Sequence, residues 1–404
     1  MSTLSVASVE LCPFLESFLR PVRSRSERAG WRLWIKDSEG RVGEGEAVCW
    51  PGFGAGQAAT AASLERGVEA LVGFSLEVTR ESDDLQTLAD WFAAQDLAPE
   101  ARHALETALL DLLAQLRGVP LACLFGPLPR SQVWSQALVQ DAKEARADRR
   151  RGFRHFKLKV GAASVADDLA RVAAVREALG PLSKGAQLRL DANGRWTREQ
   201  AAEVAEAAAE LELSWLEQPL APDDLAGLAE LRARGVRVAI DEGLRSLADL
   251  EAHLAAEAVD AVVLKPAFLG GPLVTLELAR RAAEAELEVM VTHALDGEVG
   301  RLAAFHVALA APGLTLAGLS PTLSGDRGSS GPVWAVGDGP WLPEPPAGPN
   351  SPGLVASSND AAAGLGRSAG QRRVRCEVSG GSRALQASAL SLPSSSQAPQ
   401  EDSP

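Results

Sequence analysis

Three short stretches decide how this sequence folds: Leu188-Arg189-Leu190-Asp191-Ala192-Asn193, Trp215-Leu216-Glu217-Gln218-Pro219 and Val238-Ala239-Ile240-Asp241-Glu242. Each is an apolar run of strand length that stops at a carboxylate. Between them lie segments rich in Ala, Leu, Glu and Arg, 197–211 and 223–234, whose apolar residues recur at helical spacing. A strand and a helix repeating at a step of about 25 residues is the βαβ unit. The three runs are therefore expected to be parallel neighbours, with Asp191, Glu217 and Asp241 side by side at one end.

The same rhythm extends both ways. Apolar runs at 133–139 and 153–160 precede the three, and runs at 261–264, 288–292 and 314–319 follow, with helical segments such as 164–179 and 246–258 interleaved. Eight strands alternating with helices predict an α/β fold, a closed (β/α)8-type barrel over residues 126–322. Residues 1–125 have a different grammar and read as an α+β unit. Apolar runs occupy 4–11 and 31–35, the second continuing through Asp37-Ser38-Glu39-Gly40 into 41–47 as a hairpin. From 57 to 116 the period turns helical, most clearly over 101–113, until Gly118 and Pro120 end it. The arginine-rich stretch 18–30 shows no period and reads as a surface loop. Beyond Gly325 the composition shifts to Gly, Pro and Ser. Residues 323–355, with Trp334 and Trp341, are expected to return to the first domain, and 356–404 to be a disordered tail.

Composition narrows the function. The 404 residues are 46% apolar, enough for a large core, and carry a formal net charge of −13. An acidic chain disfavours nucleic acid and anionic membrane as partners and leaves a small molecule as the default. Cys12, Cys49, Cys123 and Cys376 form no CxxC pair and no zinc spacing, which fits a reduced, cytoplasmic protein. No signal-like start and no apolar run approaching ~20 residues is visible, so no targeting or membrane segment is expected. The oligomeric state is not legible. Lysine is rare, at Lys36, Lys143, Lys157, Lys159, Lys184 and Lys265 alone, so a lysine inside a strand stands out.

In a barrel of this kind functional groups sit at the C-terminal strand ends. Three converging carboxylates without His or Cys make a hard-oxygen site suited to Mg2+, with Mn2+ as a substitute; a single such Asp would more simply cap the next helix. The strand before Asp191 carries Lys157 and Lys159, alternating with Phe156, Leu158 and Val160, so both ammonium groups share the face opposite the apolar one. Like charges at that spacing are expected to lower each other's pKa and make a usable base. Lys265, in Val262-Val263-Leu264-Lys265-Pro266, lies across the mouth from that pair. Arg189 shares the inward face of Asp191 and suits either a substrate carboxylate or a structural ion pair. His293 after the seventh strand reads as a second base or a polar pocket residue, without an Asp on strand six to orient it. Asn193 and Thr292 complete the candidate contacts to substrate.

Lys157-Leu158-Lys159, Asp191-Ala192-Asn193, Leu216-Glu217-Gln218-Pro219, Ile240-Asp241-Glu242 and Leu264-Lys265-Pro266, in this order, resemble the enolase superfamily in its muconate-lactonizing subgroup. The likeness covers most of the chain before the tail. Within the subgroup LRLDANGRW, from Leu188 to Trp196, and the run ending at Pro266 look most like the o-succinylbenzoate synthases. The resemblance implies an N-terminal capping domain, completed by the C-terminal segment, over a modified barrel. It implies Mg2+ on Asp191, Glu217 and Asp241, and removal of a proton α to a carboxylate. Lys159 would be the base and then the acid assisting loss of hydroxide, Lys157 would tune it, and Lys265 would stabilise the enolate. The reaction implied is dehydration of 2-succinyl-6-hydroxy-2,4-cyclohexadiene-1-carboxylate to 2-succinylbenzoate, in menaquinone biosynthesis. Two departures are visible. Val291-Thr292-His293-Ala294 stands where some synthases have a serine-rich run, and the tail has no counterpart. The alternatives are a racemase of N-acylamino acids or a dipeptide epimerase, which need both facing lysines as bases, a cycloisomerase, and a non-catalytic barrel scaffold. Strand eight, Ala317-Gly318-Leu319-Ser320-Pro321, lacks the DxD of the dipeptide epimerases.

Overall fold

The computed structural model describes residues 2–22, 25–50, 53–79, 83–127 and 133–319, and the short strands Trp334–Ala335, Leu342–Pro343 and Val374–Glu377. The first part is an antiparallel sheet of β1 (Ser2–Val22), β2 (Arg25–Asp37) and β3 (Val42–Cys49), with β4 (Ser75–Val78) paired to the start of β1. Alternation sets its faces: Leu4, Val6, Val9, Leu11, Trp31, Leu33 and Ile35 are buried. The expected turn forms because Asp37 Oδ1 accepts from the N–H groups of Glu39 and Arg41, and Gly40 takes the left-handed conformation at φ 90.

Three helices complete this unit, α1 (Gln57–Ala70), α2 (Asp83–Ala93) and α3 (Pro99–Arg117). Helix α3 packs directly on β3, where a Cβ at Gly45 would lie 1.9 Å from the carbonyl oxygen of Ala104. Its leucines Leu105, Leu109, Leu112 and Leu113 are fully buried, each contributing about 1.5–3 kcal/mol. Its buried carboxylates take backbone N–H groups from other segments. Glu100 accepts from Ala55 at 2.9 Å, Glu106 from Leu273 at 2.7 Å and Asp111 from Glu44 at 3.0 Å. These bonds fix the helix between sheet and barrel, since an unpaired buried carboxylate would be costly.

The expected loop at 18–30 is instead strand. β1 and β2 stay paired from Val6↔Asp37 through Ser17↔Glu27 to Val22↔Arg25, with register shifts near both ends. Near its base the two strands are joined by charge: Glu16 accepts from Arg28 at 2.6 Å and from Arg32 at 2.5 Å. The polar, arginine-rich sequence there leaves no hydrophobic period to read.

The second part has eight parallel strands in sequential order, as expected: β5 (Ala137–Val139), β6 (His155–Lys159), β7 (Gln187–Asp191), β8 (Leu213–Glu217), β9 (Val238–Ile240), β10 (Ala261–Leu264), β11 (Glu288–Thr292) and β12 (Leu314–Gly318). The two ends of the sheet meet through a parallel bridge, Ser135↔Ala317, with Gln136 N to Ala317 O at 2.9 Å and Ala317 N to Trp134 O at 2.8 Å. Helices α4 (Ala142–Arg150), α5 (Val165–Leu179), α6 (Arg198–Ala208), α7 (Leu225–Ala233) and α8 (Leu247–Ala255) start on side-chain caps at Asp141, Ser164, Thr197, Asp224 and Ser246. Three more follow, α9 (Pro266–Leu269), α10 (Pro272–Glu284) and α11 (Glu298–Ala310). Trp215, Ala239, Ala261, Val263, Met290 and Leu316 form a core of their own inside the barrel.

Of the expected tail, Val374–Glu377 pairs antiparallel with β1 at Ser8↔Glu377 through Leu11↔Val374. The register sets Val374 and Cys376 opposite the buried Leu11 and Val9, and Arg375 opposite Glu10, an alternation short enough to be lost in the surrounding Ser and Gly. The rest of 356–404, and most of the expected return segment 323–355, lie outside the described residues.

Candidate active site

The strand register brings the expected groups together. Lys159 is the partner of Asp191, and Asp191 of Glu217, while Phe156, Leu158, Leu188, Leu190 and Leu216 turn outward into the core beneath the helices. Asp191, Glu217 and Asp241 are all buried. Lys157 Nζ lies between the first two, 2.9 Å from Asp191 Oδ2 and 2.8 Å from Glu217 Oε1. Lys265 Nζ, on the other side, donates to Asp241 Oδ2 at 2.5 Å. Lys159 Nζ donates to Asn193 Oδ1 at 3.0 Å and stands 3.6 Å from Asp191 Oδ2. Its side chain is 38% exposed, against 12% for Lys157 and 16% for Lys265.

The electrostatics depart from the expectation for Lys157. Burial disfavours its charge, but Asp191, Glu217 and Asp241 together outweigh that, and the ammonium is held above the usual lysine range. Asp191, buried yet flanked by Lys157 and Lys159, is held well below the usual carboxylate range. Glu217 goes the other way: burial pushes it up to about 7, Lys157 opposes this, and Asp191 and Asp241 add to it. The paired lysines do not make Lys157 a base here, because carboxylates and not Lys159 dominate its surroundings.

As they stand, no three Asp, Glu, His or Cys side chains among the described residues form a metal cage. The inserted ammonium groups of Lys157 and Lys265 occupy the carboxylates. The donor chemistry nevertheless fits a hard cation. All three groups offer only oxygen, they lie on successive strand ends, and Glu217 Oε2 is buried without a hydrogen-bond partner among the described residues.

Arg189 does not reach the mouth. Two residues before Asp191 on the same face, it lies one layer deeper, stacks 4.2 Å from the Trp215 ring centroid and bonds Gln187 Oε1 at 2.9 Å and His155 Nδ1 at 3.3 Å. These partners sit at the opposite strand ends, so Arg189 fills the barrel interior and not a substrate subsite. Thr292 Oγ1 donates to Gly318 O at 2.8 Å and clasps β11 to β12. His293 is lowered to about 3 by burial and by Arg301, Arg28, Lys265 and Lys157, which keeps the ring neutral, and its Nδ1 has no partner among the described residues. Asn193 is better placed than expected. At φ 48 its amide bridges Lys159 and Glu242 Oε1, the latter at 3.0 Å.

Several residues here escaped the sequence reading. Gln218, fully buried at φ 36, accepts with Oε1 from the N–H groups of Asp241 and Gly243 and donates with Nε2 to Leu220 O, locking two strand ends together. Over the mouth, Trp50 and Phe53 from the first domain pack with Ala267, Phe268 and Ala294 of the barrel. The Phe53 and Phe268 rings stack at 5.6 Å, and Lys265 Nζ is 5.4 Å from the Phe53 centroid. The aromatic residues were visible in the sequence, but nothing local shows that they meet.

Eight parallel strands with carboxylates and lysines at one mouth, roofed by a separate antiparallel sheet, define a capped-barrel enzyme class. Residues 140–349 match the family described as enolase C-terminal domain-like, and the chain belongs to the enolase superfamily. Its relatives are those of the muconate-lactonizing subgroup. Muconate cycloisomerase 1-2 of Acinetobacter lwoffii is 33% identical over 67% of this chain and 71% of its own. An o-succinylbenzoate synthase of Mycobacterium tuberculosis is 44% identical over 40% of this chain, which spans about half, 48%, of that relative. The hydrophobic dipeptide epimerase of Enterococcus faecalis is 31% identical over 71% of this chain and 81% of its own. A dipeptide epimerase structure from that strain, complexed with Mg and L-Leu-L-Tyr, shares the fold at TM-score 0.76 and 24% identity, over 87% of this chain and 99% of that one. Among the described residues no helix is long and apolar enough to cross a membrane.

Proposed function

We propose that this protein is an o-succinylbenzoate synthase, a hydro-lyase that dehydrates 2-succinyl-6-hydroxy-2,4-cyclohexadiene-1-carboxylate to 2-succinylbenzoate. The observation that carries the reading is the inequality of the two facing lysines. Lys159 is the most exposed of the three, hydrogen-bonded to a neutral amide and 3.6 Å from Asp191, whereas Lys265 is enclosed and paired closely with Asp241 at 2.5 Å. A dehydration needs one base on one face and a fixed positive charge opposite. Racemisation needs two exchangeable bases. The higher local identity to the synthase supports the same reading, and the strand-eight sequence without DxD counts against dipeptides.

In this reading Asp191, Glu217 and Asp241 hold Mg2+, which when bound supplies positive charge to the substrate carboxylate as the adjacent proton leaves. Lys159 takes that proton, and the C–H electrons pass into the ring. That pair then forms the new ring double bond while the C–O bonding electrons leave on the hydroxide, to which Lys159 returns the proton, so that water is released and the ring becomes aromatic. Lys265 supplies charge against the enolate, and Lys157 holds Asp191 and Glu217 in place. Trp50, Phe53 and Phe268 form an apolar wall beside Lys265. The test is incubation of the purified protein with the cyclohexadiene carboxylate and Mg2+, followed by the absorbance of the aromatic product. No product at high enzyme concentration, with racemisation of N-succinyl amino acids in its place, would favour the racemase.

A further inference from the structure

Helix α11 begins without a cap of its own. Gly297 stands at its N-cap with no side chain to offer, and the first-turn N–H groups need acceptors. One comes from the other domain: Glu46 Oε1, on β3, accepts from Gly297 N at 2.5 Å, with the Glu46 side chain at 0% exposure. The approach is close enough that a Cβ at 297 would lie 2.4 Å from Glu46 Oε2 and displace the carboxylate. A carboxylate there also meets the positive end of the helix. Beside it Arg28 Nη1 donates to Asp296 O at 2.8 Å, while Arg28 Nε and Nη2 bind Glu16. Asp296 Oδ2 accepts from Ala294 N at 2.9 Å. The segment 294–297, which follows His293 directly, is therefore pinned by two residues of the cap.

We propose that Glu46 is a positioning residue that caps α11 from the neighbouring domain and so couples the placement of the cap to the seventh-strand loop at the reaction mouth. The charged groups around it are Arg32, 3.6 Å away, and Arg28 on β2, Glu16 on β1, and Asp296 in the loop itself. Burial pushes Glu46 up to about 7 against the pull of Arg32 and Arg28. A protonated carboxyl still offers its C=O oxygen to Gly297, so what the clasp requires is an acceptor and not a charge.

The inference depends on the synthase reading only for the substrate used in one arm of its test. Glu46→Ala, Glu46→Gln and Gly297→Ala are compared in the full chain with Mg2+. Amide exchange over 294–300, read without substrate, should speed up about tenfold in Glu46→Ala and stay within about twofold in Glu46→Gln. KM for whichever substrate turns over, the cyclohexadiene carboxylate or an N-succinyl amino acid, should rise about tenfold in Glu46→Ala with kcat within about threefold. Wild-type exchange in Glu46→Ala, an equal defect in Glu46→Gln, or a loss confined to kcat would overturn the proposal. Gly297→Ala keeps the carboxylate but displaces it, and serves where Glu46→Ala does not fold; wild-type exchange and KM in that variant would also overturn it.

Discussion

Lys159 and Asn193 are joined by a hydrogen bond of 3.0 Å from the ammonium to the amide oxygen, and the same amide donates to Glu242. The lysine nitrogen is thereby aimed by a neutral amide, with Asp191 Oδ2 3.6 Å away. Asn193→Ala should leave the fold intact and lower kcat by about tenfold to a hundredfold, as misplacement of a reacting group does. Asn193→Asp, which favours the protonated lysine, should move the acid limb of the pH–rate profile upward. An unchanged profile in both variants would remove Asn193 from the machinery.

The carboxylate set leads to a metal prediction. Chelator should abolish turnover and Mg2+ or Mn2+ restore it. Asp191→Asn, Glu217→Gln and Asp241→Asn should each weaken Mg2+ binding by at least about tenfold in calorimetric titration. Full turnover in chelator would contradict the assignment.

The two facing lysines should respond differently to arginine. Lys265→Arg preserves a positive charge and should keep measurable dehydration. Lys159→Arg loses a base that can give up its proton at working pH and should keep almost none. A dead Lys159→Arg beside a partly active Lys265→Arg is the expected pattern, and equal loss in both would argue for two bases. Retained metal binding in each variant checks that the site is intact.

Burial of Glu46 predicts a pH dependence of stability. The folded carboxyl titrates at about 7 and the unfolded one near 4.5, so between those values the folded chain holds a proton that the unfolded chain has released. Stability from this group is full below about pH 4.5 and is lost as pH rises through about 7, by roughly 3 kcal/mol at about 1.4 kcal/mol per unit. Glu46→Gln cannot ionise, so its thermal midpoint should gain on the wild type between pH 5 and pH 8. A difference that does not change with pH would contradict this.

The barrel was legible because each strand buries one face under helices and ends in polar residues, and that pattern repeats. The carboxylates and lysines were legible for the same reason, since strand register converts equal spacing into contact. Arg189 was half legible: its inward face follows from its spacing to Asp191, but its downward course depends on Trp215, which only the fold brings beside it. The ribbon across 18–30 was hidden because its polar, arginine-rich sequence carries no period of two, and the ion pairs of Glu16 with Arg28 and Arg32 near its base leave no apolar pattern. Contacts between the two domains, Glu46 with Gly297 and Phe53 with Phe268, leave no local trace in a sequence, because neither partner's neighbours show the need for the other.

The account rests on Lys159 acting as the only base. The most direct measurement offers the enzyme and Mg2+ the cyclohexadiene carboxylate and, separately, both enantiomers of N-succinyl amino acids in D2O, and compares kcat/KM for dehydration with that for deuterium entry. The account predicts faster dehydration, with deuterium entering chiefly one enantiomer. Rapid deuterium entry into both enantiomers, faster than dehydration, would contradict it and assign the protein to the racemases.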